Sequence, residues 1–215
     1  MLAAFFSTIL FSVSVVCGHR SAKLIVSLPA ASDLLASSGD GSIDVDGISG
    51  KLDLRSGDGS IKGHALAGEV RAHTGDGSIR FDAVKGAVNV DTGDGSVHLE
   101  GTFTSLRART GDGSVRIDAA PGSAPKGDWD ISTGDGTVTL ALPEDFSAEI
   151  DAHTGDGRVH VTDMDLTTNA SIEKRSVRGR LGAGGNTVRV RSGDGSITLK
   201  RSYGSTTVTL PAERP

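Results

Sequence analysis

The amino-acid sequence predicts an all-β fold, a single-domain parallel β-solenoid of about nine units of roughly 18 residues each. Three observations lead to this prediction. The tripeptide Gly-Asp-Gly recurs eight times, β-branched residues stand at a fixed distance after it, and apolar residues alternate with polar ones on both sides of it. Such repeats are typical of folds in which each unit buries its apolar residues only against the next unit.

The spacing of the motif sets the length of the unit. Four equal 18-residue intervals separate the first five motif aspartates, and a 23-residue, a 21-residue and a 38-residue interval follow. We interpret the 23- and 21-residue intervals as units with insertions. The 38-residue interval is interpreted as two units, one of which has lost the motif. The eight motif aspartates are Asp40, Asp58, Asp76, Asp94, Asp112, Asp135, Asp156 and Asp194.

Each unit contains two short strands with one apolar face. The third residue after the aspartate is always Ile or Val. The fifth residue after it is apolar in every unit except one, where it is Gly63. Six and four residues before the aspartate the residues are again apolar, as in Leu52 and Leu54. Polar residues separate them, and this period of two is the period at which a strand places side chains on one face.

Two topologies can arrange these strands. In a parallel coil, identical positions of successive units lie above one another about 4.8 Å apart, so one residue type repeated every unit meets itself. An antiparallel β meander or sandwich makes no such demand for sameness. The repeated columns therefore favour the coil, and the antiparallel arrangement remains the alternative.

The composition of the turns fits a coil. The two glycines of each motif are expected to supply positive φ angles, and the aspartate to close an Asx turn. A Ser or Thr precedes every motif, which predicts a ladder of hydroxyl groups inside the bend. Gly50, Gly68 and Gly86 mark the second turn, and residues 119–128, with Pro121 and Pro125, are expected to form a surface loop.

The chain divides into four segments. Residues 1–17 are apolar and uncharged and predict a signal peptide or membrane anchor, with Cys17 either a lipidation site or a plain cysteine. Residues 18–28 are a linker and N-terminal capping strand, residues 29–200 the repeat domain, and residues 201–215 a C-terminal cap or tail. Leu24–Leu28 and Thr206–Leu210 are the expected capping strands, which together with Pro29, Pro211 and Pro215 predict a monomer.

Charge and cysteine content exclude some classes of function. The net charge is −5 and Lys and Arg are dispersed, so no basic stripe is available for nucleic acid. Membrane contact is expected only through the N-terminal segment. The single cysteine excludes an intrachain disulfide.

No residue pattern predicts catalysis, a cofactor or a metal ion. The motif aspartates could form a calcium edge, since Ca²⁺ would relieve repulsion between them, but Asx turns explain the same residues and the nine-residue calcium repeat is missing. The possible edge consists of Asp40, Asp58, Asp76, Asp94, Asp112, Asp135, Asp156 and Asp194. Four histidines are expected to be solvated and too far apart to share zinc, namely His73, His98, His153 and His160.

The remaining polar and aromatic residues are expected to be structural. Outward residues of opposite charge predict exposed cross-unit ion pairs, namely Asp44 with Lys62, Asp53 with Arg71 and Asp91 with Arg109. Trp129 and Phe81 lie in inward columns. Tyr203, after the last motif, is the one aromatic ring expected to be exposed.

The T-G-D-G-S-[IV] units, the run from Ala141 to Gly157 and the run from Arg178 to Ile197 resemble a bacterial family of unknown function that is labelled as adhesins with β-strand repeats. The resemblance covers about residues 22–199 and implies a β-solenoid and a cell-envelope setting. It supplies no binding residues.

Two classes of function follow. The first is an exported, non-enzymatic cell-envelope or surface protein that uses a rigid solenoid for adhesion or interaction with a protein or cell-surface partner. The alternative is a structural or regulatory envelope scaffold, joined end to end or stabilised by Ca²⁺.

Overall fold

The structure, a computed structural model, describes residues 12–17 and 22–202; side chains are described for residues 24–167 and 173–202. All regular structure in this part of the chain is β-strand, and no helix capable of crossing a membrane occurs in it. The strands are β1 (Ser12–Cys17), β2 (Ala22–Ser27), β3 (Leu34–Ser38), β4 (Ile43–Asp46), β5 (Ser49–Ser56), β6 (Ile61–His64), β7 (Ala67–Thr74), β8 (Ile79–Thr92), β9 (Val97–Thr110), β10 (Val115–Ala119), β11 (Trp129–Thr133), β12 (Val138–Leu142), β13 (Ala148–Thr154), β14 (Val159–Thr162), β15 (Leu166–Ile172), β16 (Ser176–Leu181), β17 (Thr187–Ser192) and β18 (Ile197–Arg201).

Strands β3 to β18 form one large, mostly parallel sheet with two ladders. The first ladder contains the strands that precede each motif, in the order β3-β5-β7-β8-β9-β11-β17-β13-β16-β15. The second ladder contains the strands that follow each motif, in the order β4-β6-β8-β9-β10-β12-β18-β14. Strands β8 and β9 run through a corner and belong to both ladders. The parallel pairing excludes the antiparallel meander.

Successive units pair in the predicted register. Leu52 lies opposite Val70 in the first ladder, and Ile61 lies opposite Ile79 in the second, so each residue meets the equivalent position of the next unit. These inward columns form one continuous core across the units, because the apolar residues of each unit pack against those of the next. The predicted inward positions of Trp129 and Phe81 are confirmed, since both side chains are completely buried.

The order of the units in space differs from their order in the sequence. From Asp40 to Asp135 the units stack in chain order, but the unit of Asp194 lies between those of Asp135 and Asp156. Strand β17 is parallel to β11 on one side and to β13 on the other, and β18 lies between β12 and β14 in the same way. The last described unit in the chain is therefore inserted between the two units that precede it in the sequence.

The 38-residue interval was interpreted wrongly as containing a parallel unit without its motif. It contains the hairpin of β15 and β16, in which β16 pairs antiparallel with β13 and covers that end of the first ladder. An antiparallel strand at this position ends the parallel series.

The N-terminal end differs from the prediction as well. Strand β2, which includes most of the expected capping segment Leu24–Leu28, pairs antiparallel with β1 in a separate two-stranded sheet and not with β3. Leu24, Ile25 and Val26 are exposed. Residues 1–11 of the predicted signal segment, and Thr206–Leu210, Pro211 and Pro215 of the predicted C-terminal cap, lie outside the described residues.

Glycine was predicted at the motif positions because of positive φ angles, and this was wrong. Glycine is needed there because the backbones of neighbouring units lie in close contact. None of them is among the described residues with positive φ, whereas Gly50, Gly68 and Gly86 of the second turn are, as expected. A Cβ atom on Gly95 would lie 2.0 Å from the carbonyl oxygen of Gly77 in the neighbouring unit, a distance at which the backbone would have to move.

The predicted surface loop after β10 is fixed to the stack. Ser123 is buried and its hydroxyl accepts a hydrogen bond from the amide of Phe103 (3.1 Å). The side-chain amide of Asn186 donates to the carbonyl of Pro125 (2.6 Å), which joins the loop to the segment that enters β17.

Candidate functional site

The outer surface of the first ladder, here called the first-ladder face, carries most of the ion pairs between units. The Asp130 carboxylate lies 2.8 Å from Arg109 and 3.8 Å from Arg107. The predicted partner of Arg109 was Asp91, and this was wrong, because Asp91 lies 3.2 Å from His73. Arg109 instead contacts Asp130 of the following unit. Asp130 lies opposite Arg107, in the outward column next to that of Arg109.

The residues of the other two predicted pairs lie opposite each other on neighbouring strands, but neither pair is among the ion pairs of the described residues. Asp44 lies opposite Lys62, and Asp53 lies opposite Arg71. Asp53 nevertheless binds Arg55 two residues further along its own strand (2.9 Å). Side chains at i and i+2 share one face of a strand, so this pairing needs no neighbouring unit.

Asp151 is the most strongly held carboxylate on this face. Arg191 of β17 lies 2.6 Å away and Arg178 of β16 lies 3.2 Å away. The hydrogen bond from Arg191 lowers the pKa of Asp151 below its usual value; burial acts in the opposite direction, and the bond from Arg178 lowers the pKa further. This carboxylate therefore joins the inserted unit to the terminal hairpin.

Asp128 has a related role where the chain enters β11. The amide of Thr187 donates to its carboxylate (2.9 Å), and this hydrogen bond is the main reason that the pKa of Asp128 is lowered. Arg189 lies 3.1 Å away. The contact attaches the loop before β11 to β17.

The motif edge is held together by the Ser and Thr hydroxyls, as predicted. The Thr92 hydroxyl donates to the carbonyl of Gly77 in the neighbouring unit (2.9 Å), and the Thr110 hydroxyl accepts the amide of Gly113 in its own turn (3.2 Å). This second bond closes the turn in place of the predicted Asx hydrogen bond. The eight motif aspartates are left at the surface of the stack.

The motif aspartates are not among the described side chains that cluster as possible metal ligands. Among the described residues, one group of three or more His, Cys, Asp and Glu side chains has its ligand atoms within 4.8 Å of one another, and it contains none of the motif aspartates. That group consists of Asp82, His98 and Glu100 on the outer surface of the second ladder. The sequence pattern did not predict this cluster, but the expectation that His98 lies far from His160 is confirmed, since His98 is on β9 and His160 is on β14.

A β-bulge brings the three residues together. In the pairing of β8 with β9, Phe81 lies opposite Leu99 and Val84 lies opposite Gly101, so Asp82 and Ala83 both face Glu100. Ala83 has a φ of 57°. His98 and Glu100 are two residues apart on β9, and their side chains therefore share the outer face.

The geometry of this group leaves one oxygen unused. Arg80 lies 3.0 Å from Oδ2 of Asp82. Oδ1 of Asp82 is buried without a hydrogen-bond partner and lies 4.0 Å from Nε2 of His98. Buried carboxylate oxygens ordinarily have a partner, so the unpaired Oδ1 is an unusual feature of this group.

The other three histidines stay apart, as predicted. His73 and His153 stand in the same column but on β7 and β13, five strands apart in the first ladder, roughly 24 Å at the usual strand spacing. His160 lies on β14, the last strand of the second ladder.

A shallow cleft of about 340 Å³ opens at the far end of the second ladder. Asp118, Thr162, Lys200 and Arg201 are among its lining residues. Trp129 does not line it and packs instead against Phe103 and Phe146 inside the core. Tyr203 lies outside the described residues.

Comparison with known proteins identifies the family. The family model described as Toastrack DUF4097 matches residues 4–200, and the chain belongs to this family, which is uncharacterised and β-rich. No curated protein and no solved structure matches the chain. The match agrees with the all-β architecture, and it assigns no activity.

Proposed function

We propose that this member of the Toastrack family is a non-enzymatic β-solenoid of the cell envelope that acts as a rigid rod for interaction with another protein. It is exported through its N-terminal segment and works as a monomer. The eight motif units and the terminal hairpin form the rod.

The observation that carries the proposal is the ion-pair network of the first-ladder face. Side chains from different units fix one another there, as Asp130 does with Arg107 and Arg109, and Asp151 with Arg178 and Arg191. Charged side chains in fixed positions give a surface whose electrostatic pattern can match a partner without much further loss of side-chain freedom.

The first-ladder face is also the broader one in the regular part of the stack. Strands β5 and β7 have eight residues each, whereas β4 and β6 of the second ladder have four. A flat surface of stacked strands binds through many weak contacts. The interaction is therefore distributed, and no single outward residue dominates it.

The test is retention of envelope proteins on the immobilised chain. Reversing four charges of the first-ladder face, with Arg55, Arg71, Arg107 and Arg109 all replaced by Glu, should abolish retention. The control reverses four charges of the second ladder, with Lys62, Arg80, Arg116 and Lys200 replaced by Glu, and should retain the same proteins. The two sets change the net charge equally, so a difference between them locates the interaction.

Arg109→Ala alone should weaken retention by well under about 1 kcal/mol, as expected for one exposed ion pair. Equal retention by both four-residue variants, with unchanged thermal melting, would contradict the proposal. So would complete loss of retention on Arg109→Ala, because that result requires a localised site.

A scaffold that assembles end to end is the second candidate function. The specific observation in its favour is that, within the described residues, β3 pairs only with β5, and Leu35 at this edge is 73% exposed. Unpaired strand edges are templates for another chain. Sedimentation velocity distinguishes the two candidates, because a sedimentation coefficient that rises with concentration and falls with Leu35→Lys indicates assembly.

A further inference from the structure

We propose that Asp82, His98 and Glu100 form a binding site for a zinc-class divalent cation on the outer surface of the second ladder. This site is separate from the first-ladder face and does not depend on the proposed interaction. It combines one imidazole nitrogen with two carboxylate oxygens from two adjacent strands.

The arrangement of the donors fits one small cation. Zinc binds His nitrogen at about 2.0–2.1 Å and carboxylate oxygen at about 2.0–2.2 Å, so tetrahedral donors lie roughly 3.4 Å apart. Nε2 of His98 and Oδ1 of Asp82 are already 4.0 Å apart, and Glu100 completes a group within 4.8 Å. Small side-chain rotations at His98 and at exposed Glu100 would bring the three donors to zinc-binding distances.

The unused oxygen of Asp82 is the strongest sign of a ligand. Arg80 holds the other carboxylate oxygen, which fixes the orientation of the group and leaves Oδ1 directed toward His98. Metal-binding carboxylates are commonly held by a second contact of this kind. Two units further along the ladder, the carboxylate of Asp118 contacts Arg116 (2.8 Å) through Oδ2, in the same way that Asp82 contacts Arg80. Asp82 differs in having the imidazole of His98 beside its second oxygen.

The local charge favours a cation. Three carboxylates, Asp82, Glu100 and Asp118, follow one another in register along the second ladder. Arg80 and Arg116 neutralise two of them, so these five charged groups carry a net charge of −1. Like charges at one strand spacing repel by roughly 0.9 kcal/mol even in water, and a bound divalent ion would remove that repulsion.

The ligand types select the class of metal. An imidazole nitrogen suits zinc and its neighbours among the transition metals, whereas Ca²⁺ and Mg²⁺ take oxygen ligands. Three protein ligands leave a fourth tetrahedral position. The side chain of His98 is 25% exposed and that of Asp82 is 33% exposed, so this position faces solvent.

Isothermal titration of the purified full chain with Zn²⁺ tests the proposal. Cys17→Ser is introduced in every sample, because a free thiol is itself a zinc ligand. We expect one ion per chain, affinity weakened at least about tenfold by His98→Gln, and a similar loss with Glu100→Gln. A hundredfold excess of Mg²⁺ should not displace the ion.

His160→Gln is the matched control, since His160 lies outward on the same ladder without an acidic cluster around it among the described residues. It should bind Zn²⁺ like the parent. No uptake of Zn²⁺, or equal weakening by His98→Gln and His160→Gln, would overturn the proposal. Glu100 is exposed and its replacement should leave thermal melting unchanged, so loss of binding in Glu100→Gln reports on ligation and not on folding.

Discussion

The first six units and the last two obey the same local rules but are assembled differently. From Asp40 to Asp135 each unit lies on the one that precedes it in the chain, whereas the unit of Asp194 lies between those of Asp135 and Asp156. The hydroxyl ladder continues through both regions: Thr110 donates to Gly95, Ser192 to Gly136 and Thr154 to Gly195. The repeat thus specifies how two units join, without specifying which two.

Cysteine pairs give the most decisive test of this difference. Ser132 and Arg191 are register partners on β11 and β17, whereas Ser132 and His153 are two strands apart. Adjacent strands place Cα atoms about 4.8 Å apart, within disulfide range, and two strand spacings, about 9.6 Å, exceed it. With Cys17→Ser, the pair Ser132→Cys/Arg191→Cys should oxidise almost completely.

The pair Ser132→Cys/His153→Cys is the control and should remain reduced. Mass spectrometry of the thiols after mild oxidation measures both. If the control pair were cross-linked and the first pair were not, the last units would be stacked in chain order, and the two regions would not differ in assembly.

The strands, their inward faces, their parallel register and the Ser and Thr ladder could be predicted from the sequence, because they depend on residues within one unit or on equivalent positions of neighbouring units. The order of the last units could not be predicted. Val188 and Val190 match Trp129 and Ile131 as well as they match Ile150 and Ala152, and the structure pairs them with both strands. The 38-residue interval between the last two motifs indicated that the repeat is irregular there, but it did not indicate the inserted unit or the antiparallel hairpin.

The cluster of Asp82, His98 and Glu100 could not be predicted from the sequence either, because it also depends on how neighbouring strands are arranged. One column of the second ladder reads Asp46, His64, Asp82, Glu100 and Asp118, which is visible in the sequence. His98 belongs to the adjacent column. The contact between the columns depends on the bulge at Asp82 and Ala83, and Ala83 gives no sequence signal for a positive φ.

A charge placed in the core tests whether the inserted unit is packed as tightly as the regular ones. Val90 and Val190 stand at the same position of the unit, four residues before the motif aspartate, and both are completely buried. Val90→Asp and Val190→Asp should each cost more than about 4 kcal/mol, because the carboxylate has no partner there. Urea unfolding of both variants measures the free energy of unfolding.

The two losses should agree within about 1 kcal/mol, the accuracy that such mutant comparisons allow. A loss below about 2 kcal/mol for Val190→Asp alone would mean that the inserted unit is loosely held. Val90→Thr and Val190→Thr serve as milder variants if the aspartate variants do not fold.

Alanine at a motif glycine tests the close approach of successive turns. A Cβ on Gly93 would lie 2.6 Å from the carbonyl oxygen of Gly75, and a Cβ on Gly193 would lie 2.6 Å from that of Gly134. Each substitution should destabilise the fold by about 1–3 kcal/mol through backbone displacement. Gly39 in the first unit has nothing within 4 Å of its Cβ position.

Gly39→Ala should therefore change the free energy of unfolding by no more than about 0.5 kcal/mol. Thermal melting ranks the three variants. An equally large loss for Gly39→Ala would indicate that these glycines are needed for their own conformation and not for contact with the neighbouring unit.

The smallest expected effect concerns Asp151, which joins the inserted unit to the terminal hairpin through Arg191 and Arg178. Because Arg191 lowers its pKa in the folded state, this carboxylate stabilises the fold fully above the unfolded pKa of about 3.9, and the contribution is lost as pH falls through the lower folded value. Asp151→Asn should cost about 1 kcal/mol at pH 7.

The cost should shrink progressively as pH falls below about 3.9, because the unfolded parent takes up a proton there before the folded parent does. Asp130→Asn is the control in the regular region. Its side chain is 36% exposed against 22% for Asp151, and its second arginine lies 3.8 Å away against 3.2 Å for the second arginine of Asp151, so its cost at pH 7 should be smaller. Urea unfolding at pH 7 and pH 3 measures both variants. A cost for Asp151→Asn that persists unchanged at pH 3 would show that the asparagine perturbs packing, and that the ion pairs do not hold the hairpin to the inserted unit.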